Sequence, residues 1–170
     1  DLRFKLENSK DDAKSLTVKK GRNSFCMKKP GVYEVIPSGC YEFAQQVYLY
    51  DTNNPTELEF TPIKWKVRGR ISGQVVMKRK PEFELSVTTS TGRTLKILKI
   101  EQKEKNDREA VYEYEFFSNE GEQVTITPSS ADLLFYPQSV TFKTQQGPLI
   151  GCHSPVSSIE GRRQKSVDGI

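Results

Sequence analysis

The sequence predicts an all-β protein built from two tandem antiparallel β-sandwiches. Apolar and polar residues alternate in many short runs, such as the one from Leu2 to Leu6. This period of two is typical of strands with one face in a core and the other in water. Turn residues separate the runs about every 8–12 residues, which is the spacing found in sandwiches. No stretch carries a sustained helical periodicity.

One stretch, residues 29–38, contains the clearest strand of the first sandwich. The Pro30-Gly31 pair predicts a turn, because proline fixes its own φ and glycine adopts conformations that other residues resist. The β-branched and aromatic residues that follow favour a strand, and Pro37 ends it because proline has no N–H to donate. Residues 121–129 repeat the order of glycine, apolar strand and Pro-Ser about 90 residues later, which predicts a second copy of one unit.

A second repeated motif sets the predicted domain boundaries. Residues 67–70 have the sequence VRGR, and residues 159–162 have the similar sequence IEGR, again about 90 residues on. Together the repeats predict one sandwich over residues 1–64, a second over 65–146, and a linker with the start of a third repeat over 147–170. We therefore expect a fragment of a longer tandem array. It has no starting Met and no run of about 18 apolar residues that would predict a transmembrane helix.

The strands of the first unit are short and are separated by strong turn signals. They are predicted at residues 2–6, 16–18, 25–27, 32–36, 47–50 and 58–60. In the fifth of these strands Val47 and Leu49 face one way, and Tyr48 and Tyr50 face the other. The alternation predicts that one pair is core and the other half-exposed, without deciding which.

The second unit repeats this order after Trp65, which is expected to pack at the junction between the units. Its strands are predicted at residues 67–71, 83–87, 95–100, 112–116, 124–126 and 140–142, with an aromatic corner at 133–137. Residues 99–109 are dense in both charge signs and predict either a short helix or a disordered loop. The short connection at residues 61–66 leaves little slack, so we expect a restricted orientation between the units.

The composition is typical of a soluble globular protein rather than a nucleic-acid-binding one. The chain has 170 residues, is 35% hydrophobic and 28% charged, and carries a net charge of +4. Its lysines alternate with glutamates instead of clustering, which favours a solvated face over a nucleic-acid site.

No residue pattern predicts catalysis, a cofactor or a metal site. His153 is the only histidine and stands beside Cys152, a pair that can suggest a nucleophile or two metal ligands. However, the sequence has no G-x-S-x-G motif and no further ligands at zinc-site spacing, so we expect a surface histidine and a linker cysteine. Neither a small-molecule substrate nor paired-carboxylate glycosidase chemistry is predicted. Trp65 and the tyrosines could alternatively form a stacking platform for sugars.

Two of the three cysteines, Cys26 and Cys40, flank the strand that follows Pro30-Gly31. In an oxidising compartment they could form a disulfide, and in a reducing one they would remain partly buried thiols. Spacing alone leaves both possibilities open, because it does not determine the geometry of the two side chains.

The sequence is similar to a known family over nearly its whole length. The order of strands and turns in each unit resembles the carboxypeptidase-regulatory-like (transthyretin-like) variety of Ig-like sandwich. At residue level, the chain resembles the nodal modulator family. The matching residues are Asn23-Ser24-Phe25-Cys26, Lys29-Pro30-Gly31-Val32-Tyr33, Pro37, Cys40, Tyr50-Asp51-Thr52, Val124-Thr125-Ile126-Thr127-Pro128-Ser129-Ser130 and Leu133-Leu134-Phe135-Tyr136-Pro137. The chain departs from the family pattern between residues 96 and 109 and around Cys152-His153.

This resemblance implies a non-enzymatic scaffold rather than an enzyme. Members of the family are endoplasmic-reticulum membrane proteins whose lumenal part is a rod of such sandwiches, anchored by one transmembrane helix. They act with nicalin, a small multi-pass membrane subunit and the translocon machinery in the biogenesis of multi-pass membrane proteins. The oxidising lumen would favour the Cys26–Cys40 disulfide. The alternative is an extracellular adhesion or carbohydrate-binding module with the same fold.

Overall fold

A computed structural model of the chain describes residues 2–6, 14–19, 21–75, 79–144 and 158–163. In order, the first six strands are β1 (Leu2–Leu6), β2 (Lys14–Leu16), β3 (Val32–Pro37), β4 (Tyr41–Phe43), β5 (Tyr48–Asp51) and β6 (Pro62–Gln74). The remaining strands are β7 (Glu84–Thr89), β8 (Ile97–Lys105), β9 (Glu109–Ser118), β10 (Gln123–Ser129), β11 (Leu133–Tyr136), β12 (Val140–Lys143) and β13 (Ile159–Arg163).

The all-β fold class predicted from the sequence is confirmed. Every regular element of the described residues is a strand, and all strand pairs but one are antiparallel. In the same part of the chain, no helix has the length and hydropathy needed to cross a membrane.

The first unit is organised on a four-stranded antiparallel sheet with the order β2-β1-β3-β5. Its core contains Leu2, Tyr33 and Val35, and both Tyr48 and Tyr50 of β5 pack against this cluster. The other face of β5 is exposed, with Leu49 61% accessible to solvent. The tyrosines are therefore the core pair of this strand, and Val47 and Leu49 are the exposed pair.

The second unit packs a three-stranded sheet, β12-β10-β7, against a larger sheet that contains β11-β13-β6-β9-β8. Alternate residues of both sheets point inward and are excluded from water. The fully buried members of this core include Val67, Ile71, Val87, Tyr114, Phe116, Val124, Ile126 and Ile159. This cluster has more buried members than the core of the first unit, so at about 25 cal/mol per Å² of buried apolar surface it contributes more to the stability of the fold.

The glycine–strand–Pro-Ser motif identified in the sequence occupies equivalent places in the two units. Strand β3 lies between β1 and β5, and β10 lies between β7 and β12, so each is a central strand. Each follows a glycine with positive φ, Gly31 at 145° and Gly121 at 70°. At both turns the left-handed region is required, and a residue with a side chain would be strained there.

The prediction that residues 147–170 begin a third repeat is wrong for the part of that range that the structure describes. Strand β13 pairs in parallel with β6, with Ile159 opposite Ile71, and antiparallel with β11. Ile159 is fully buried in the core of the second unit. The VRGR and IEGR motifs thus lie on adjacent strands of one sheet and are not corresponding parts of successive repeats.

The prediction of a helix or disordered loop over residues 99–109 is also wrong, because this stretch forms a β-hairpin. Strands β8 and β9 pair antiparallel, and the Asn106 side chain closes the turn by accepting hydrogen bonds from the N–H groups of Arg108 and Glu109, each at 2.8 Å. The register shifts twice along β8. These bulges break the period of two, which explains why the continuation of the strand beyond Ile100 is hard to recognise in the sequence.

Candidate functional site at the junction of the two units

The two units are joined by a strand that belongs to both. Strand β4 of the first unit pairs antiparallel with the beginning of β6, placing Tyr41 opposite Trp65 and Glu42 opposite Lys64. The rest of β6 pairs with β9 in the second unit, starting with Trp65 opposite Ser118. Because Trp65 has neighbours in both units, the connection is part of a continuous sheet and not a separate linker.

Trp65 is the centre of an aromatic cluster at this junction. Its side chain is 8% exposed and makes an edge-to-face contact with Tyr41, with ring centroids 6.1 Å apart and planes at 81°. The cluster continues through Phe43 and Phe60 to Tyr48, and each step has centroids within 6.3 Å. This arrangement confirms that Trp65 packs at the junction. Because so little of its ring is accessible, Trp65 does not offer a stacking surface for a sugar.

The end of β9 next to Trp65 is held by a buried polar network centred on Glu122. One Glu122 carboxylate oxygen accepts hydrogen bonds from Ser118 Oγ and Asn119 N, both at 3.0 Å, and the other accepts from Arg93 at 2.6 Å. Ser118 Oγ in turn accepts a 2.9 Å hydrogen bond from the buried Thr144 hydroxyl. The network joins the ends of β9 and β12 to the β7–β8 connection.

This environment lowers the pKa of Glu122. Burial by itself would raise the pKa, but the hydrogen bonds from Asn119, Arg93 and Ser118 and the charge of Arg93 outweigh it. The carboxylate is therefore kept ionised and serves as an acceptor. Sequence reasoning missed this residue, although the polar Asn-Glu-Gly-Glu turn at residues 119–122 was a signal for it.

A groove lies next to the junction, on the side of the sheet that faces away from the core of the second unit. It has a volume of about 290 Å³. Both the β4–β6 ladder and the second unit line it, and its walls include Glu42, Lys64, Arg93, Lys96, Leu98 and Phe117. We call this feature the junction groove.

A second, smaller depression of about 160 Å³ lies over β6, β9 and β8 and contains several carboxylates. Each is paired with a cation: Arg68 lies 3.3 Å from both Glu113 and Glu115, and Lys99 and Lys103 each lie 2.7 Å from Glu101. Hydrogen bonds from Lys103 and Lys99 lower the pKa of Glu101 to about 2. A glycosidase acid needs a raised pKa, so the environment of Glu101 is opposite to the one that this chemistry requires.

The Cys26–Cys40 disulfide predicted from the family resemblance is wrong. Cys26 is an exposed free thiol. Cys40 is disulfide-bonded, but its partner is not among the described residues. The two residues lie in different surroundings: the carbonyl of Cys40 accepts a 2.7 Å hydrogen bond from Lys66 N at the junction, whereas Cys26 lies in an exposed segment before β3.

The remaining sequence candidates for chemistry are Cys152 and His153, and both lie outside the described residues. Within the described ranges, no group of three or more His, Cys, Asp or Glu residues is arranged to hold a metal ion. The junction is therefore the candidate functional site of the described structure. It combines the shared strand, the aromatic cluster and the groove.

The comparison with known families assigns both units. Residues 1–64 match the NOMO Ig-like domain, and residues 66–162 match the NOMO eighth prealbumin-like domain. The chain belongs to the NOMO family. This confirms the family resemblance, and the second match includes β13, in agreement with the pairing of that strand inside the second unit.

Two curated NOMO relatives show how much of a full-length member this chain represents. It is 28% identical over 206 residues to human BOS complex subunit NOMO3 and to mouse BOS complex subunit NOMO1, covering 96% of this chain. The chain spans 17% of the length of each relative. No solved structure is significantly similar to it.

Proposed function

We propose that this NOMO-family segment is a non-catalytic lumenal scaffold element of a BOS complex subunit in the endoplasmic-reticulum membrane. The observation that carries the proposal is the shared strand β6, which pairs with β4 of the first unit and β9 of the second. A continuous strand with partners in both units resists bending and twisting at the junction. Such a pair suits the role of a rigid spacer that sets distance and orientation for neighbouring parts of a longer protein.

The partners follow from the family. The relatives are named as BOS complex subunits, which supports assembly of the full-length protein into a membrane complex. The family resemblance further implies nicalin, a small multi-pass subunit and the translocon machinery as partners in the biogenesis of multi-pass membrane proteins. The first test is co-purification of the tagged full-length protein with nicalin from detergent-solubilised membranes. Absence of nicalin from the complex, with an unrelated lumenal protein as the background control, would exclude the partnership.

Rigidity can be tested separately from assembly. Cys26 is exposed and free, and Asp107 lies in the exposed β8–β9 turn, so nitroxide labels on Cys26 and on an Asp107→Cys variant report the distance between the units. We expect one narrow distance distribution. A flexible Gly-Ser insertion between Lys66 and Val67 interrupts β6 between its pairing with β4 and most of its pairing with β9 and should broaden it, whereas the same insertion at Asn53, within one unit, should not. A broad distribution in the unmodified protein contradicts the spacer role.

A further inference from the structure

The junction groove has a floor of apolar side chains that no described strand covers. Leu98 is 47% exposed and lies in the first bulge of β8, where the register skips it, so it has no partner on β9. Phe117 faces the same side of the sheet from the end of β9, and the Lys66 ammonium lies 5.6 Å from its ring centroid. An exposed leucine beside a half-buried phenylalanine forms a surface that favours an apolar side chain.

The walls of the groove carry more positive than negative charge. Lys64, Arg93 and Lys96 line it together with the carboxylate of Glu42, and Arg93 is also paired with Glu122 at 2.6 Å, so Lys64 and Lys96 are the cations that a ligand can reach. Lys64 pairs with Glu42 at 2.9 Å, but both side chains are about 40% exposed, so an incoming carboxylate can compete for the lysine at little cost. Lys96 has no ion pair with any residue of the described ranges and is exposed at the rim.

Backbone groups are also available along one side of the groove. Strand β8 is at the edge of its sheet, with β9 on one side and no described strand on the other. The free N–H and C=O groups of an edge strand can pair with an extended peptide, and side-chain pockets then select its sequence.

From these three observations we propose that the junction groove binds an extended acidic segment of a partner protein. One apolar side chain of the segment lies between Leu98 and Phe117, and flanking carboxylates pair with Lys96 and Lys64. The geometry favours a peptide over a nucleic acid, because the cations are few and flank an apolar floor instead of following a phosphate backbone. The site shares the β4–β6 ladder with the proposed spacer, but it requires no rigidity between the units, so binding can be lost while the distance between the units is unchanged.

The test uses a short fluorescein-labelled peptide in which glutamate alternates with leucine, with binding followed by fluorescence anisotropy on the whole chain. We expect saturable binding that weakens as salt is added. A peptide with glutamine in place of glutamate should not bind. Lys96→Glu and Leu98→Ser should each weaken binding by about tenfold or more. Lys105→Glu, the same charge change at the far end of β8, should leave the affinity within about twofold, as expected for a distant site.

Both groove variants change exposed side chains, so their thermal unfolding should match that of the unmodified chain, which separates lost binding from lost folding. Equal affinity of Lys96→Glu and Lys105→Glu would overturn the proposal. Binding of the glutamine peptide as tightly as the glutamate peptide would also overturn it. An RNA oligonucleotide and vesicles containing phosphatidylserine are the alternative ligands. If either binds more tightly than the glutamate peptide, and if Lys96→Glu and Leu98→Ser abolish that binding, the groove belongs to a different class of partner and the proposal is overturned.

Discussion

The phenol ring of Tyr114 lies directly over Gly69, its partner in the β6–β9 ladder. A β-carbon at residue 69 would overlap the hydroxyl and the adjacent ring carbon of Tyr114. Tyr114 is fully buried, and its hydroxyl has no hydrogen-bond partner among the described residues. The absence of a side chain at Gly69 is thus what allows an aromatic ring to fill this part of the core.

Gly69→Ala should therefore destabilise the second unit. We expect a loss of about 1–3 kcal/mol in the free energy of unfolding, because the added methyl must displace a ring in a close-packed core. Chemical denaturation followed by circular dichroism would measure it. Adding Tyr114→Phe removes the hydroxyl that the methyl meets, so the double variant should recover part of the loss. An unchanged stability of Gly69→Ala would contradict the packing described above.

Tyr114→Phe by itself should leave stability at neutral pH equal or slightly higher, because it removes a buried hydroxyl without a partner. It should also change the alkaline response. Burial raises the pKa of Tyr114 to about 12, so between about pH 10 and 12 the unfolded chain releases a proton that the folded chain keeps. The contribution of the protonated Tyr114 hydroxyl to the free energy of unfolding is therefore lost as the pH rises through this window. Denaturation between pH 9 and about pH 11 should show a smaller decline for Tyr114→Phe, and an identical decline would contradict the assignment.

Glu122→Gln should loosen the network at the end of β9. We expect a loss of about 1–3 kcal/mol, because Ser118, Asn119 and Arg93 lose a charged acceptor. Since the pKa of Glu122 is lowered in the folded state, its contribution is present at neutral pH and disappears as the pH falls through that lowered value. Acid denaturation should therefore affect the unmodified chain more steeply than Glu122→Gln. Glu120→Gln, which changes an exposed carboxylate in the same turn, is the control and should have little effect on stability.

The cysteines should differ in reactivity. In the native, unreduced chain, maleimide should label Cys26, which is an exposed free thiol, and should leave Cys40 unlabelled. Reduction should make Cys40 reactive. Peptide mapping by mass spectrometry would read both results, with Cys26→Ser as the control for label position. Labelling of Cys40 before reduction, or recovery of a Cys26–Cys40 peptide, would contradict the structure.

Much of the fold could be predicted because most strands have one solvent-exposed face and one buried face, so that polar and apolar residues alternate. The alternation of tyrosine with glutamate along β9 and the glycine turn before β3 both appear in the structure as predicted. The beginning of β8 was predicted as a strand over residues 95–100, but its continuation to Lys105 could not be recognised, because its two bulges disrupt the alternation on which the prediction depends.

The position of β13 was missed for a different reason. Its IEGR motif resembles the VRGR of β6, but the two glycines share a packing requirement and not a place in a repeat. Gly161 lies under the ring of Phe135, as Gly69 lies under that of Tyr114. The similarity of the two motifs could not show whether they mark a repeat or a shared packing requirement. Parallel pairing between distant segments leaves no signal in the local sequence.

The junction could be predicted only in part. Trp65 was expected there on the grounds of its size and position, and it is buried there. The ladder between β4 and β6 was not predicted, because β4 is only three residues long and carries no alternation of its own. The groove depends on that ladder and on the bulged Leu98, so it also could not be found from the sequence.

The parallel pairing of β6 with β13 has a consequence for biosynthesis. Strand β6 is made early, and the residues that complete its sheet emerge from the ribosome only after the whole of the intervening unit. Until then, one border of the nascent sheet is left open, a state in which chains are prone to pair with the wrong neighbour. A pause in translation shortly before Ile159 would therefore leave this unit more prone to misfolding than a pause after Arg163.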